Sequence, residues 1–231
     1  MTTLMKVARF HFQVDRITTF YVAWGVLVFD FLVNLVIAAQ ISPTASKPFY
    51  TGALASIYVI LSIVGAVTIV RTLPLGLVLG ISRRSFYGGT VLLAAVLAVV
   101  YGLALTLLYV FEQASDGWGL RMHFFRVPYL FAGPWYLTWL TSTVGLALVF
   151  VYGMWYGIVQ RRWNGIGVLT FIAAQVAVLL VAALAVSKAG AWGSVGHFFT
   201  TLSAAGLTGL LAALTLVMAA GGYATIRRAV V

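Results

Sequence analysis

The chain has 231 residues, of which 63% are apolar and only 8% carry a charge, and its mean hydropathy is +1.07. An ordinary soluble domain is about 45–50% apolar and 25% charged, so this composition excludes a soluble globular protein. A net charge of +10 would suggest nucleic-acid binding in a soluble chain, but in a membrane protein the positions of the charges matter more. The absence of cysteine excludes disulfides, thiolate metal sites and Cys-x-x-Cys redox chemistry.

Residues 1–16 are predicted to form a basic amphipathic helix on the inner membrane surface. At about 100° per residue, Lys6, Arg9 and Arg16 share one face and apolar side chains occupy the other. A cleaved signal peptide fits less well, because the apolar run that follows (17–40) exceeds the roughly 7–15 residues of a signal core.

Six apolar runs are long enough to cross a hydrocarbon layer of about 30 Å, which takes about 20 residues of helix. They cover residues 17–40, 51–70, 89–111, 135–159, 166–187 and 202–224. All five prolines lie outside these runs, as expected for uninterrupted helices. The predicted fold is therefore an all-α polytopic membrane protein. Residues 1–231 form a single transmembrane domain, with an N-terminal interfacial helix followed by six transmembrane helices.

The positive charges indicate the orientation of the chain. With a cytoplasmic amino terminus, the inner segments hold most of the Lys and Arg residues, and the outer ones hold only Lys47, Arg121, Arg126 and Lys188. By the positive-inside rule, both termini are predicted to be cytoplasmic, in a plasma (inner) membrane. The outer loops are then residues 41–50, 112–134 and 188–201.

Residues suited to catalysis are scarce. The carboxylates are Asp15, Asp30, Glu112 and Asp116, and all three histidines lie outside the predicted spans. Glu112 and Asp116 could share a helical face with a divalent ion, but a hydrated loop near Arg121 is the commoner explanation. His123 and His197 are expected to be solvated loop residues rather than haem ligands. We therefore expect no enzyme, no metal site and no cofactor in this chain.

Asp30 lies near the middle of the first predicted span and shares a helix face with Asn34. An ionised carboxylate there costs roughly 2.5–3.5 kcal/mol, so it should face protein or water. Two interpretations stay open: part of a substrate or proton path, or a hydrogen-bonded carboxyl that fixes helix packing. Gln175, in the fifth span, is expected to make hydrogen bonds between helices.

The connection 71–90 has the sequence RTLPLGLVLGISRRSFYGGT. It is apolar, but proline and glycine interrupt it. Pro74 can open a short helix that runs to Leu79, Gly80 can end it, and Ser82 can cap the next helix. Apolar side chains on such a surface helix should either dip into lipid headgroups or fill a groove on another protein. In the first case, the two arginines that follow would bind lipid phosphates.

Two Gly-x-x-x-Gly pairs occur, at Gly76/Gly80 and Gly153/Gly157. About two such pairs are expected by chance with this glycine content, so the motif alone supports no prediction of helix packing.

The order of these elements resembles the permease subunits of bacterial ABC exporters of the type-2 class. The segment LPLGLVLGISRRSFYGGT (73–90) is similar to the one that those small permeases place before their third span. QRRWNGIGVL (160–169) and the terminal YATIRRAVV are weaker matches.

The resemblance implies two permeases, identical or paralogous, and two ATP-binding subunits, with ATP and Mg on the latter. The chain itself has no G-x-x-x-x-G-K-[ST] loop to hold nucleotide phosphates. The coupling residues that the family pattern implies are Leu75, Gly76, Gly80, Ile81, Ser82, Arg83, Arg84 and Phe86. The loop 160–165 with Arg161 and Arg162 is a second contact, and Asp30 and Asn34 are candidates for the substrate path.

Two other functions stay open. The chain could be an accessory or scaffold membrane subunit that binds partners and transports nothing, in which case Asp30 and Asn34 should be packed shut. A proton-coupled secondary transporter would instead depend on Asp30 and work without an ATPase.

Overall fold

The computed structural model describes residues 21–41, 49–126 and 134–228. Its α-helices are α1 (Ala23–Ile41), α2 (Ala55–Val67), α3 (Leu73–Val78), α4 (Arg83–Ala114), α5 (Trp135–Lys188), α6 (Trp192–Thr201) and α7 (Ala204–Arg228). A π-helical turn occupies Thr68–Thr72, and Gly117–Arg121 forms a turn in which four of the five residues have positive φ. Two short strands, β1 (Phe49–Tyr50) and β2 (Met122–His123), pair in parallel. The predicted interfacial helix of residues 1–16 lies outside the described residues.

Five helical segments within these ranges are long and apolar enough to cross a membrane. They are Ala23–Gln40, Ala55–Val78, Arg83–Ala114, Trp135–Lys188 and Ala204–Ile226. The predicted helical class is confirmed, and the apolar helices fit a membrane-embedded protein. The pair of two-residue strands was not predicted, because such short segments carry no periodicity.

Helix α5 is a hairpin rather than one straight rod. A continuous helix of 54 residues would be about 80 Å long, far more than one membrane crossing needs. Asn164 leaves the helical region with φ 55° and ψ −156°, and the chain folds back there. As a result, the Tyr152 hydroxyl donates to Gln175 Oε1 at 2.9 Å although 23 residues separate them. The fourth and fifth predicted spans are therefore the two halves of this hairpin.

Glycines allow α2 and the first half of α5 to approach closely. A Cβ added to Gly153 would overlap the carbonyl oxygen of Ser62, and one on Gly157 would lie 2.6 Å from the carbonyl oxygen of Ala66. Gly65 makes the same contact from the other side, since its Cβ would overlap the carbonyl oxygen of Phe150. The Gly153/Gly157 pair, which carried no prediction, thus lies in a tight helix contact, as small residues do in membrane bundles.

The first half of α5 runs parallel to both α2 and α7. Along α2, Tyr58 lies beside Gly145 and Ala66 beside Gly157, so both helices advance in the same direction. Along α7, the hydroxyls of Thr141 and Thr208 are 2.6 Å apart, and further on the Trp155 indole donates to the Met218 carbonyl at 2.9 Å.

Helices α1 and α4 run in the opposite direction. The Trp139 indole donates to the carbonyl of Val99, and the Tyr87 hydroxyl donates to the carbonyl of Ala219 at 2.7 Å, so α4 is antiparallel to α5 and α7. In α1, Trp24 contacts Tyr101 of α4, and Phe31 contacts the turn after α4. Successive long segments, counting the halves of α5 separately, therefore alternate in direction.

This alternation gives the bundle two distinct ends. One end holds the α3 segment, the bend at Asn164 and the end of α7. We call it the basic end, because its described residues include seven arginines and no carboxylate. The opposite end holds β1, β2 and helix α6, and we call it the strand end. Helix α6 lies within 188–201, which the sequence predicted as a loop.

We predict that Gly153→Ala destabilises the protein, because the added methyl group must push α2 away from α5. Overpacking of this kind costs about 1–3 kcal/mol. Gly209→Ala is the matched control, since it is also helical and a Cβ there meets nothing within 4 Å. Thermal unfolding in detergent should show a lower midpoint for Gly153→Ala alone, and equal midpoints for the two variants would contradict the close contact.

Candidate functional site

The α3 segment ends where the sequence predicted, but it does not begin a new helix. Pro74 follows the π-helical turn Thr68–Thr72, and the backbone is helical from Ala55 to Val78. At the other end Gly80 adopts φ +77°, its N–H donates to Leu77, and the Ile81 N–H donates to Gly76 at 2.9 Å. These two bonds form a Schellman motif, which favours glycine at the left-handed position. The predicted stop at Gly80 is confirmed, whereas the predicted separate short helix is instead the last part of the helical segment Ala55–Val78.

Ser82 starts the next helix as predicted. It is the N-cap of α4, with ψ 147°, and its hydroxyl accepts a hydrogen bond from the Ser85 N–H at 3.2 Å. Only one residue therefore separates the Gly80 stop signal from the cap of α4. The connection between α3 and α4 is a tight turn with little slack.

One face of α3 is packed against the bundle. Leu73 and Gly76 are buried, and a Cβ on Gly76 would lie 3.0 Å from the ring of Phe86, which is fully buried. Gly76 and Phe86 were predicted as coupling residues. Since neither is accessible, they can only position α3 against α4 and cannot touch a partner themselves.

The other face of α3 is exposed. The side chains of Leu75, Val78 and Leu79 are 43%, 85% and 60% exposed, and Arg84 is exposed in the next turn. We call these four residues the α3 patch. Ser82 is exposed as well, whereas Ile81 and Arg83 are half-buried. An apolar surface on a firmly packed helix at the basic end is a feature that a partner or a lipid interface would cover.

The bend of α5 lies at the same end of the bundle as the α3 patch. Arg161 and Arg162 are exposed there, and the Arg162 guanidinium lies 4.6 Å from the ring centroid of Trp163. The two predicted coupling segments are thus brought to one end. The arginines of this basic end are Arg71, Arg83, Arg84, Arg161 and Arg162, and α7 ends there with Arg227 and Arg228.

The predicted pair in α1 is half-buried. The Asn34 amide donates to the backbone carbonyl of Asp30 at 2.8 Å. The Asn34 amide therefore bonds to the backbone of its own helix and not to the Asp30 carboxylate. Because this bond is local, it favours neither of the two interpretations of Asp30.

The Glu112 side chain is buried and accepts several hydrogen bonds, which was not predicted from the sequence. Its side chain is 1% exposed, and its carboxylate accepts hydrogen bonds from the backbone N–H groups of Phe124, Phe125 and Arg126 at 2.8–3.1 Å. The Trp118 indole donates to it at 3.3 Å. The predicted hydrated loop is therefore wrong for Glu112. The divalent site fails too, since Asp116 is exposed and lies beyond the end of α4.

The Glu112 carboxylate holds a return loop in a strained conformation. Asp116, Trp118 and Arg121 all have φ between 49° and 62°, which is uncommon for residues other than glycine. Strain of this kind persists only when surrounding contacts over-determine it. Phe31 of α1 supplies such contacts, since its ring lies 4.9 Å from Trp118 and 5.4 Å from Phe124. The loop thereby joins α1 to α4 at the strand end.

The two histidines at this end differ. His123 is half-buried, with Nδ1 3.7 Å from a Glu112 oxygen and its ring 4.9 Å from that of Tyr50. It was expected in a solvated loop but belongs to the Glu112 cluster. His197 lies exposed on α6, in agreement with the sequence.

The signal available for Glu112 was the Gly-rich stretch Asp116-Gly-Trp-Gly directly after the helix, which permits a sharp return. No spacing rule links a glutamate to amides twelve residues later. Comparison with known proteins gives no further guide: no family model, no curated protein and no solved structure matches the chain. Function has to be argued from the geometry itself.

We predict that Glu112→Ala frees the return loop, because the buried N–H groups of Phe124 and Phe125 lose their acceptor at about 1–3 kcal/mol each, and the Arg126 N–H loses its bond as well. Hydrogen exchange of the amides of residues 124–126 should accelerate by at least tenfold. Asp116→Asn is the control, since that side chain is exposed. Unchanged exchange in Glu112→Ala would contradict the assignment.

Proposed function

We propose that the chain is the membrane-spanning permease subunit of an ATP-driven ABC exporter of the type-2 class. Six crossings, with the basic end in the cytoplasm, would form the substrate path together with a second permease. ATP and Mg would be bound by a separate subunit. The plasma (inner) membrane is the location that this assembly requires.

The observation that carries the proposal is the α3 patch. The end of the helical segment Ala55–Val78 packs through Gly76 on Phe86 of α4, and through this contact a partner that pushes on α3 would also move α4. Its outer face presents Leu75, Val78 and Leu79, which suit a hydrophobic groove on a partner. A loop that merely connects two spans has no need of an anchored helix with an exposed apolar face.

The charges support the orientation. The described residues at the basic end include seven arginines and no carboxylate, whereas at the strand end Arg121, Arg126 and Lys188 lie with Glu112 and Asp116. This difference matches a cytoplasmic basic end by the positive-inside rule. The alternating directions of the six apolar segments favour six crossings, with both ends of the described chain on one side.

Asp30 and Asn34 remain the candidates for the substrate path. Both are half-buried on α1, and α1 makes fewer contacts with the bundle than the central helices α4 and α5. A helix of this kind suits the boundary between two permeases, where polar groups could line a path. The contact of the neighbouring Phe31 with Trp118 puts the pair on the strand-end side of that boundary.

The first test is purification of the chain from its native membrane in mild detergent, with mass spectrometry of what accompanies it. We expect a subunit with a phosphate-binding Walker loop, whose ATP hydrolysis depends on this chain. A chain that comes out alone and, once reconstituted, transports with a proton gradient as the only driving force would overturn the proposal. Asp30 would then be the residue to study.

We predict that the double variant Val78→Gln/Leu79→Gln weakens binding of the ATPase subunit by about tenfold or more, because it removes the apolar anchors of the α3 patch. Coupled ATPase activity should fall with it, while membrane insertion is retained. Phe111→Gln is the control, since Phe111 is equally exposed (65%) at the strand end. Equal binding of the ATPase subunit by the two variants would show that the α3 patch is not part of the coupling site.

A further inference from the structure

The hairpin of α5 has a long apolar crease along its exposed side. The rings of Trp155 and Phe171 stack across the two halves, with centroids 6.4 Å apart and planes at 5°. Two neighbouring grooves, of about 440 and 410 Å³, share Phe171 as a wall. One reaches Trp163 at the bend, and the other reaches Gln175 further along. Each volume falls within the range of small-molecule sites.

A polar cluster lies inside this crease. The hydroxyls of Tyr152 and Tyr156 both donate to Gln175 Oε1, at 2.9 and 2.8 Å, and are 2.9 Å from each other. Gln175 Oε1 is thus fully used. The amide Nε2 of Gln175, in contrast, has two N–H donors and no partner within the described ranges.

Gln175 lies deep in the membrane, where an N–H donor without a hydrogen-bond acceptor is costly. About ten residues of helix separate Gln175 from the bend at Gly165, which places it about 15 Å along the axis. That is the middle of a hydrocarbon layer of about 30 Å, where the ester groups of bilayer lipids do not reach. An amide donor in hydrocarbon favours any molecule that brings an acceptor to it.

The mouth of the crease at the basic end carries positive charge. Arg162 is exposed beside Trp163, which lines the first groove, and Arg161 is exposed next to it. No carboxylate of the described residues pairs with either arginine. An anionic group is therefore favoured at this mouth.

We propose that the α5 crease binds an anionic acyl-chain amphiphile that carries a hydrogen-bond acceptor in the middle of its chain. The headgroup lies at Arg162, the chain follows the two grooves past Phe171, and the acceptor meets Gln175 Nε2. The inference gives the proposed permease a substrate class and rests on the proposed function for that role. Binding itself requires no ATPase, so it is tested separately from the α3 patch.

The test compares two fatty acids on the purified full chain by native mass spectrometry: octadecanoate, and octadecanoate with a ketone at its twelfth carbon. The ketone lies about as far from the carboxylate as Gln175 lies from the mouth. We expect the ketone acid to bind about fivefold more tightly, the effect of one net hydrogen bond. Arg162→Gln should weaken both acids by a common factor.

Gln175→Leu and Gln175→Met should each abolish the difference between the two acids. The control is Gln113→Leu, which removes a similar amide that donates to the Tyr109 hydroxyl outside the crease. Equal binding of the acids by the unaltered chain would overturn the proposal and identify an unselective lipid groove. A difference that survives both Gln175 variants would also overturn it.

A second copy of the chain is the competing occupant. Because the chain has no cysteine, Gln175→Cys can be tested for a disulfide between copies in the membrane. Formation of that disulfide would overturn the proposal by showing that the crease is a self-interface. Absence of the disulfide together with selective ketone binding supports the ligand site, whatever the outcome of the ATPase experiments.

Discussion

The rest of the structure depends on the close contact between α2 and the first half of α5. Gly65, Gly153 and Gly157 bring the two backbones within reach of each other, where any side chain would hold them apart. In hydrocarbon, no hydrophobic effect drives helices together, so close packing of this kind has to do so. With α2 and α5 parallel, the α3 turn and the α5 bend arrive at one end of the bundle.

The two ends are built by different physical means. At the basic end, local signals suffice: Gly80 ends one helix and Ser82 caps the next. At the strand end, the carboxylate of Glu112 organises the loop through backbone donors far along the chain. One end therefore presents an exposed apolar surface on a packed helix. The other end closes the bundle around the buried Glu112 side chain.

Prediction from the sequence succeeded wherever the cause was local. The apolar runs reappear as long helices, and the stop of α3 at Gly80 follows from a single residue that tolerates positive φ. Prediction failed where a side chain found partners distant in sequence. Glu112 was expected in water because a carboxylate near glycines usually is, and the Gly153/Gly157 pair could not be told from chance without knowing what faces it.

The sequence by itself thus determined the class, the positions of the apolar segments and the α3 turn, because hydropathy and backbone restriction act over a few residues. The fold-back within α5 also lies where the loop 160–165 was predicted. Tertiary structure alone decided which helices touch, and that Tyr152 and Tyr156 are the partners of Gln175. These features depend on contacts between residues far apart in the chain, and neither composition nor local periodicity predicts such contacts.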